Sequence, residues 1–474
     1  MTELQLARLC DHDFVAARLS AAGLSAGEHT AKTEGFAQSA QALLQAGADR
    51  SAKASAYFVP GRIEVLGKHT DYAGGRTLVA AAEKGFCGVG VARDDAQIHL
   101  MDTLGQLEAQ FSLCPTPGPN QGDWSNYPIS AARRLAMNFP GSTRGANIAF
   151  ASDLPLAAGM SSSSALIVMT FLLLADVNQL SSHPKFKKHL CGREALAGYL
   201  GTVENGQSFA DLVGDRGVGT FGGSEDHTAI LCSRPDQWSQ YSYCPVRHER
   251  YVTMPAGYVL AIASCGIAAE KTGAAMADYN RASQLAAAVA KVWRSRTGGH
   301  EPHMAAAIAS GGGAATKIRE LLATAEHPEF DDAELTPRFE HFLAESEEIV
   351  PAVPDSLEEA NLIRFGELVD RSQTLGAEQL GNQIPETIAL AAIARQQGAA
   401  AASAFGAGFG GSVWALVREQ GAPTFLQRWN EHYAKRYPSA AASSEFFTTR
   451  AGPAAFPLGK PSVLQAVSNQ IVTA

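Results

Sequence analysis

A run of four serines, Ser161–Ser164, followed by eleven mostly apolar residues, 165–175, is the feature that most constrains how this chain of 474 residues folds. An apolar stretch without a polar face is typical of a helix surrounded by protein on all sides. We therefore predict a buried central helix over Ser161–Asp176. Eleven residues are too few to cross a bilayer, so the helix belongs to the core of a domain.

The rest of the chain alternates between helical and strand patterns. Helical spacing of apolar residues occurs within the first fifty residues and around 125–138, 272–293, 314–325, 338–350 and 386–397. Short β-rich runs lie at 57–60, 77–80, 88–91, 97–101, 147–150, 259–263 and 412–417. This mixture predicts an α+β chain of two lobes. We expect a helical extension at 1–50, an N-terminal lobe at 51–250, a C-terminal lobe at 251–450 and an arm at 451–474, extended and packed or else loose.

Charge and cysteine content exclude several classes of function. The net charge is −9, which gives no support to a nucleic-acid partner or to an acidic membrane surface. The seven cysteines are scattered, odd in number and never arranged as CxxC, which favours a reducing compartment over a disulfide framework. The first residues lack the basic start and cleavage site of a signal peptide, so we expect a cytoplasmic protein.

The segment 60–75, PGRIEVLGKHTDYAGG, gathers several kinds of ionisable side chain between glycines, and we call it the signature segment. It is not a phosphate-binding P-loop, because five residues rather than four separate Gly61 from Gly67, and a histidine follows the lysine. A polar hairpin turn is the simpler alternative. So many ionisable residues are unusual in a turn, however, and this favours a functional role.

Residues 153–166, DLPLAAGMSSSSAL, place small side chains and hydroxyls directly before the apolar helix. The free N–H groups and the dipole of a helix N-terminus favour an anion, and small side chains let the backbone approach phosphate oxygens. A serine hydroxyl can also ligate magnesium. An ordinary N-cap is the alternative, but it requires only one serine.

Residues 404–416, AFGAGFGGSVWAL, contain G-x-G-x-x-G at Gly406, Gly408 and Gly411. A dinucleotide-binding fingerprint opens a helix, whereas a β-rich run follows here, so that interpretation fails. Taken alone, the motif is compatible with a glycine-rich hairpin.

In this order, the three segments resemble the motifs of the GHMP kinases, and the signature segment resembles that of the galactokinases. Further similarities lie at Trp124, Asn126 and Tyr127, at Glu204 and 222–227, and at 264–266 with 279–281. The resemblance implies a GHMP kinase-like fold, with a left-handed βαβ unit in the N-terminal lobe, a ferredoxin-like C-terminal lobe and a site between the lobes. It also implies transfer of the γ-phosphoryl group of ATP to the anomeric hydroxyl of galactose or a close relative.

The same resemblance assigns residue roles. Asp226 faces the reacting hydroxyl, with Glu225 as an alternative base, and Arg62 lies between that hydroxyl and the γ-phosphate. Ser163 and Glu204 match the Mg²⁺ ligands, and Ser162 or Ser164 replaces Ser163 if the register shifts by one. The residues that match the ATP-binding backbone are Ala158, Gly159, Met160, Ser161, Ser162, Ser163, Ser164 and Gly408. The residues expected to hold the sugar are His69, Asp71 and Tyr279, together with Glu64 and Lys68, which depart from the family pattern.

Glu64 and Lys68 depart from the galactokinase pattern, which has asparagine and glutamate at these positions. The family's glutamate contacts the C6 hydroxyl of galactose; a lysine only donates hydrogen bonds, where a carboxylate only accepts them. Lys68 would therefore suit a uronic acid such as galacturonate. Alternatively, Lys68 pairs with Glu64 or another carboxylate, and galactose still binds. A sugar and ATP sensor without catalytic activity is a third hypothesis, which the retention of Arg62 and Asp226 disfavours.

Overall fold

This computed structural model describes residues 3–116, 123–155, 158–269, 276–324, 327–460 and 462–468. The strands are β1 (Ala54–Leu66), β2 (Arg76–Ala92), β3 (Gln97–Asp102), β4 (Glu108–Ser112), β5 (Ala146–Ser152), β6 (Gln237–Ser242), β7 (Arg247–Thr253), β8 (Tyr258–Ser264), β9 (Ala401–Phe405), β10 (Ser412–Arg418), β11 (Glu445–Thr449) and β12 (Phe456–Pro457). The α-helices are α1 (His12–Ala21), α2 (His29–Gln45), α3 (Asn126–Asn138), α4 (Ser162–Val177), α5 (Pro184–His189), α6 (Arg193–Asn205), α7 (Glu225–Cys232), α8 (Met276–Thr297), α9 (Met304–Ala309), α10 (Ala314–Leu322), α11 (Asp332–Phe342), α12 (Val350–Glu358), α13 (Leu362–Leu375), α14 (Pro385–Gln396), α15 (Ala422–Arg436), α16 (Pro438–Ala441) and α17 (Val463–Ser468). None of the helices in these ranges is both long and apolar enough to cross a membrane.

The N-terminal lobe is built on an eight-stranded sheet with the order β12-β1-β2-β5-β3-β4, to which β6 and β7 are joined beside β2. Helix α4 packs against β1 and β2, and its side chains from Ser164 to Ala175 are all buried. The prediction of a buried central helix is confirmed. Helix α2 packs against β2 and β5, and a separate apolar cluster joins α1 and α2 to Phe58 and Val89.

The strands predicted at 77–80 and 88–91 form one strand, β2, of 17 residues. Pairing with β1 continues past the charged residues between them by a shift of register between Pro60 and Arg62. Glu83 is accommodated because its carboxylate accepts hydrogen bonds from the backbone N–H groups of Ser25 and Arg450. Charged residues with such partners do not interrupt a strand.

The helices predicted in the C-terminal half differ from the structure mainly in their bounds. The prediction at 272–293 begins outside the described residues, since α8 starts at Met276, and residue 325 of the prediction at 314–325 also lies outside them. The helix predicted at 338–350 is part of a longer run, in which α11 is followed by a π-helical segment, Leu343–Ile349, and then by α12.

The C-terminal lobe contains a four-stranded antiparallel sheet with the order β11-β8-β10-β9. Helices lie between β8 and β9 and between β10 and β11, so the chain follows the βαββαβ order of a ferredoxin-like unit. One face of the sheet packs on α14 and α15. The other face shares a core cluster with the N-terminal lobe, and Trp414 Nε1 donates a hydrogen bond to Val65 O at 3.1 Å. The expected two-lobed α+β class is confirmed.

The segment after Arg450 returns to the N-terminal lobe. Strand β12 pairs with β1, and the N–H of Val463 at the start of α17 donates to Asp176 Oδ1 at 2.7 Å. Leu458, Val463 and Leu464 are buried. The described part of the arm, 451–460 and 462–468, is therefore packed against the lobe.

Candidate active site

Arg62 is the buried centre of the site. Its Nε donates to Asp226 Oδ1 at 2.7 Å, and its Nη1 donates to Gly159 O at 2.9 Å. Burial lowers the pKa of the guanidinium, but the carboxylates of Asp226, Glu225 and Glu64 outweigh burial and raise it. Arg62 therefore remains a cation that joins a carboxylate to the backbone in front of α4.

The glycine before Arg62 lets the signature segment touch the loop 158–164, which we call the serine loop. Arg62 N donates to Met160 O at 3.1 Å, and a Cβ at Gly61 would lie 2.8 Å from the same oxygen. Residues 406–411, the glycine loop between β9 and β10, approach from the other side. A Cβ at Gly406 would lie 2.7 Å from Gly159 O, and Ser412 Oγ donates to Ala158 O. Side chains larger than hydrogen would separate these backbones.

Asp226 lies at the start of α7, which the signature segment holds in place. Asp71 Oδ2 accepts a hydrogen bond from Glu225 N at 3.0 Å, and Asp71 Oδ1 accepts one from Tyr72 N at 2.8 Å. The Glu225 side chain is buried beside Arg62, with Oε1 3.4 Å from Arg62 Nε. Burial and the nearby carboxylate of Glu64 raise the pKa of Glu225.

Ser164 joins Asp226 to Glu204. The hydroxyl of Ser164 lies 2.7 Å from Glu204 Oε2 and 3.2 Å from Asp226 Oδ2. The serine beside Glu204 is therefore Ser164, the residue given by a register shift of one from Ser163. Ser163 instead lines a neighbouring apolar cleft together with Ser161 and Ser162.

His69 connects the signature segment to the glycine loop. Its Nε2 lies 3.0 Å from Ala407 O, and its Nδ1 lies 3.0 Å from the hydroxyl of Tyr72. A carbonyl oxygen only accepts hydrogen bonds, so Nε2 carries a proton, whereas the Tyr72 hydroxyl can donate to Nδ1 or accept from it. The ring of Tyr279 packs 5.3 Å from the imidazole, centroid to centroid.

A polar pocket lies between these groups, and Glu64, Asp71 and Tyr279 line it with Arg62 and Asp226. The sequence alone gave no indication that Asn205, which follows Glu204 at the end of α6, is part of this wall. The side-chain amide of Asn205 donates to Gly222 O at 2.7 Å and so holds the loop that precedes Asp226.

The structure does not bring Lys68 to this pocket, contrary to the expectation that it contacts the substrate. Its side chain is buried in the direction of the C-terminal lobe, and Nζ donates to Ser372 Oγ at 3.0 Å and to Ser403 Oγ at 2.8 Å. Ser372 in turn donates to Glu345 Oε1, which also accepts from Gly67 N. Lys68 therefore fastens the signature segment to the other lobe through two hydroxyls and, beyond that of Ser372, the carboxylate of Glu345.

An apolar cleft of about 460 Å³ opens beside the serine loop. Its walls include Trp124 and Tyr127, which sequence reasoning had noted. They also include four residues that it had not: Phe86, Leu104, Leu107 and Phe150. Leu104 and Leu107 are exposed residues of the turn between β3 and β4, and an exposed leucine in a turn is by itself no signal of a site.

Three family models match separate parts of the chain. The galactokinase galactose-binding signature matches residues 48–90, the GHMP kinase N-terminal domain matches 126–201, and the GHMP kinase C-terminal domain matches 355–435. The chain belongs to the galactokinase-like family of the GHMP kinase superfamily. It is accordingly a sugar kinase of the galactokinase type.

Curated relatives agree with this assignment over most of the chain. The galactokinase of Halalkalibacterium halodurans is 25% identical over 395 residues, covering 82% of this chain and 89% of the relative. The galactokinase of Exiguobacterium sibiricum is 27% identical over 407 residues, covering 84% and 92%. Among solved structures, the Lactococcus lactis galactokinase complexed with galactose superposes with a TM-score of 0.69 at 22% identity, over 85% of this chain and 95% of that one. This structural likeness supports the fold.

Proposed function

We propose that the protein is an ATP-dependent sugar 1-kinase that transfers the γ-phosphoryl group of ATP to the anomeric hydroxyl of galactose or a closely related sugar. The observation that carries the proposal is the position of Arg62, which binds Asp226 at 2.7 Å and the serine loop at Gly159 O. One cation thus stands between a carboxylate in the polar pocket and the loop suited to phosphate. Phosphoryl transfer requires this kind of positioned charge.

Asp226 is the group that we assign to the sugar hydroxyl. Its Oδ1 is held by Arg62, and its Oδ2 lies 3.2 Å from the hydroxyl of Ser164. The guanidinium favours the carboxylate anion, which accepts a hydrogen bond from the hydroxyl and takes up its proton as the oxygen attacks the phosphorus. Arg62 then stabilises the charge that develops on the transferred group.

ATP is the nucleotide substrate that the site fits. The 16-residue helix α4 begins at Ser162, so its first-turn N–H groups and its dipole favour phosphate oxygens at the serine loop. The apolar cleft beside that loop offers Trp124 and Tyr127 to an aromatic base. The glycine loop, which includes Gly408, packs against the serine loop from the side of the C-terminal lobe.

Magnesium fits the oxygens around Ser164. Among the described residues, no group of three or more histidine, cysteine or acidic side chains has the geometry of a metal cage. The hydroxyl of Ser164 and the carboxylate of Glu204 are instead two hard oxygen donors 2.7 Å apart, of the kind that Mg²⁺ takes beside phosphate and water. Bound there, the ion would neutralise phosphate charge. We assign the ligands to Ser164 and Glu204 rather than to Ser163 and Glu204.

The uronic-acid alternative rested on Lys68, and the ammonium of Lys68 is bonded to Ser372 and Ser403 instead.

The alternative of a sensor without activity is tested directly by turnover. Purified protein with ATP and Mg²⁺ should release ADP in the presence of galactose, and ³¹P NMR should show a phosphate coupled to the anomeric proton. If no neutral, amino or acidic hexose supports ADP release while sugar and ATP still bind, the sensor hypothesis replaces the kinase.

A further inference from the structure

Glu64 is a buried carboxylate with one unused oxygen in the polar pocket. Its side chain is 3% exposed, and it lies on β1 between Ile63 and Val65, which are fully buried. Glu64 Oε2 lies 3.8 Å from Arg62 Nη2. Glu64 Oε1 has no hydrogen-bond donor among the described residues. A buried acceptor without a donor is unfavourable, so the site is incomplete until a ligand supplies one.

The cations near Glu64 are already bonded elsewhere. Arg62 donates to Asp226 and to the serine loop, and Lys68 donates to two serines of the C-terminal lobe. No ion pair within 4.0 Å joins Glu64 to Lys68 in the described part of the chain. Neither cation therefore completes Glu64 Oε1.

The pocket as a whole is acidic. Five carboxylates line it: Glu64, Asp71, Glu204, Glu225 and Asp226. Arg62 is the permanently charged cation among the described lining residues, and His69 is the other basic residue there. Even with a proton on Glu225, the four other carboxylates outnumber the guanidinium of Arg62 and the imidazole of His69. A further carboxylate brought in by a substrate would meet like charge, which is strongly unfavourable in a buried site.

We propose that Glu64 is a specificity-determining residue: its free oxygen accepts a hydrogen bond from a donor group of the sugar, a hydroxyl or a protonated amine, and the surrounding carboxylates exclude sugars that carry a carboxylate. This inference rests on the proposed sugar 1-kinase function. It is the opposite of the preference for acidic sugars expected from Lys68, because Lys68 is bonded to Ser372 and Ser403 while carboxylates line the pocket.

The test is a comparison of kcat/KM for galactose, galactosamine and galacturonate in the unaltered protein. We expect galacturonate to be weaker than galactose by about 100-fold or more, because its carboxylate meets like charge in the pocket. A higher kcat/KM for galactosamine than for galactose identifies an ammonium as the donor. An equal or lower kcat/KM for galactosamine identifies a hydroxyl. Galacturonate equal to or better than galactose overturns the inference but leaves the kinase assignment intact. Turnover of none of the three overturns the kinase assignment itself.

The variant Glu64→Gln separates a specificity role from a structural one. Glutamine keeps an acceptor oxygen but removes the charge, so we expect KM for galactose to rise about tenfold while KM for ATP stays unchanged. We also expect the discrimination against galacturonate to shrink by about tenfold. Glu108→Gln, at an exposed position on β4, is the matched control and should change neither quantity. If Glu64→Gln folds but leaves the discrimination against galacturonate unaltered, Glu64 does not have this role. If the variant does not fold, the comparison of the three substrates in the unaltered protein still tests whether the pocket excludes acidic sugars.

Discussion

At the scale of single residues, Asp226 carries the most direct prediction. Asparagine at this position keeps the shape and one oxygen for Arg62 but cannot take up the proton of the sugar hydroxyl. We expect Asp226→Asn to lower kcat by about 10³-fold or more, in the range that removal of a catalytic base produces. Binding of a non-hydrolysable ATP analogue, measured by calorimetry, should persist. Asp236→Asn, an exposed aspartate, is the control, and a kcat within tenfold of the unaltered protein would refute the assignment.

Lys68 makes a second prediction, and it concerns stability. Glutamate, the residue of the family pattern, would remove the donor to Ser372 and Ser403 and add a buried negative charge near Glu345. Breaking a buried charged network in this way costs about 3–5 kcal/mol. We therefore expect Lys68→Glu to lower the free energy of unfolding in urea by about that amount. Lys53→Glu, at an exposed lysine paired with Glu3, should change it by less than about 1 kcal/mol. An unfolding free energy that Lys68→Glu leaves unchanged would show that the network is dispensable.

Asp226 and Lys68 also show which features of the site the sequence reveals and which it does not. Arg62 and Asp226 could be predicted because each lies in a motif with its own neighbours. The position of the Lys68 side chain could not be predicted, because its partners are 304 and 335 residues away in the chain and lie on elements without a motif. The choice between Ser163 and Ser164 depends on the rotation of α4, which a run of identical residues leaves open.

At the scale of elements, α2 contacts the segment of chain that leads to the serine loop. Lys32 of α2 is almost fully buried, and its ammonium bonds to Asp153, the residue that precedes the leucines before the serine loop, and to Glu28 at 3.1 Å. Burial opposes the charge of Lys32, but the carboxylate of Asp153 outweighs it, and the pKa is raised. Asp153 Oδ1 also accepts from Gly85 N at 2.9 Å. The N-terminal helices thus help to position the chain that leads to the serine loop.

We expect Lys32→Met to raise KM for ATP by about tenfold and to leave KM for the sugar unchanged, because Asp153 loses its cation while the polar pocket is untouched. Steady-state kinetics with each substrate varied in turn checks this. Lys317→Met, at an exposed lysine of α10, is the control. Equal changes in both KM values, or a lowered melting temperature with normal kinetics, would mean that Lys32 serves only stability.

Element prediction from the sequence succeeded where one physical signal dominated. Helix α4 was predicted because its apolar run leaves no polar face. Strand β2 was divided wrongly because Glu83, Lys84 and Gly85 have the composition of a turn, and their partners come from the distant segments at Ser25, Asp153 and Arg450. Tertiary contacts of this kind cannot be inferred from local composition.

At the scale of the whole molecule, the C-terminal arm is tied to the central helix through one partly buried carboxylate. Asp176, near the end of α4, accepts hydrogen bonds from Tyr57 at 2.6 Å and from Val463 N at 2.7 Å. Burial raises the pKa of Asp176 to about 6, and the hydrogen bonds oppose this only in part. The free carboxyl in an unfolded chain titrates near 4.

This difference predicts how stability depends on pH. Between about pH 4 and pH 6 the folded state keeps a proton on Asp176 that the unfolded state has lost, so stability falls as pH rises through this window. The contribution of this group amounts to at most about 3 kcal/mol at 1.36 kcal/mol per pKa unit. Asp176→Asn keeps an oxygen for Val463 N and removes the titration, so its unfolding free energy relative to the unaltered protein should increase from pH 4 to pH 7. Urea unfolding across that range measures the difference, and a constant difference would exclude Asp176 as the source of the pH dependence.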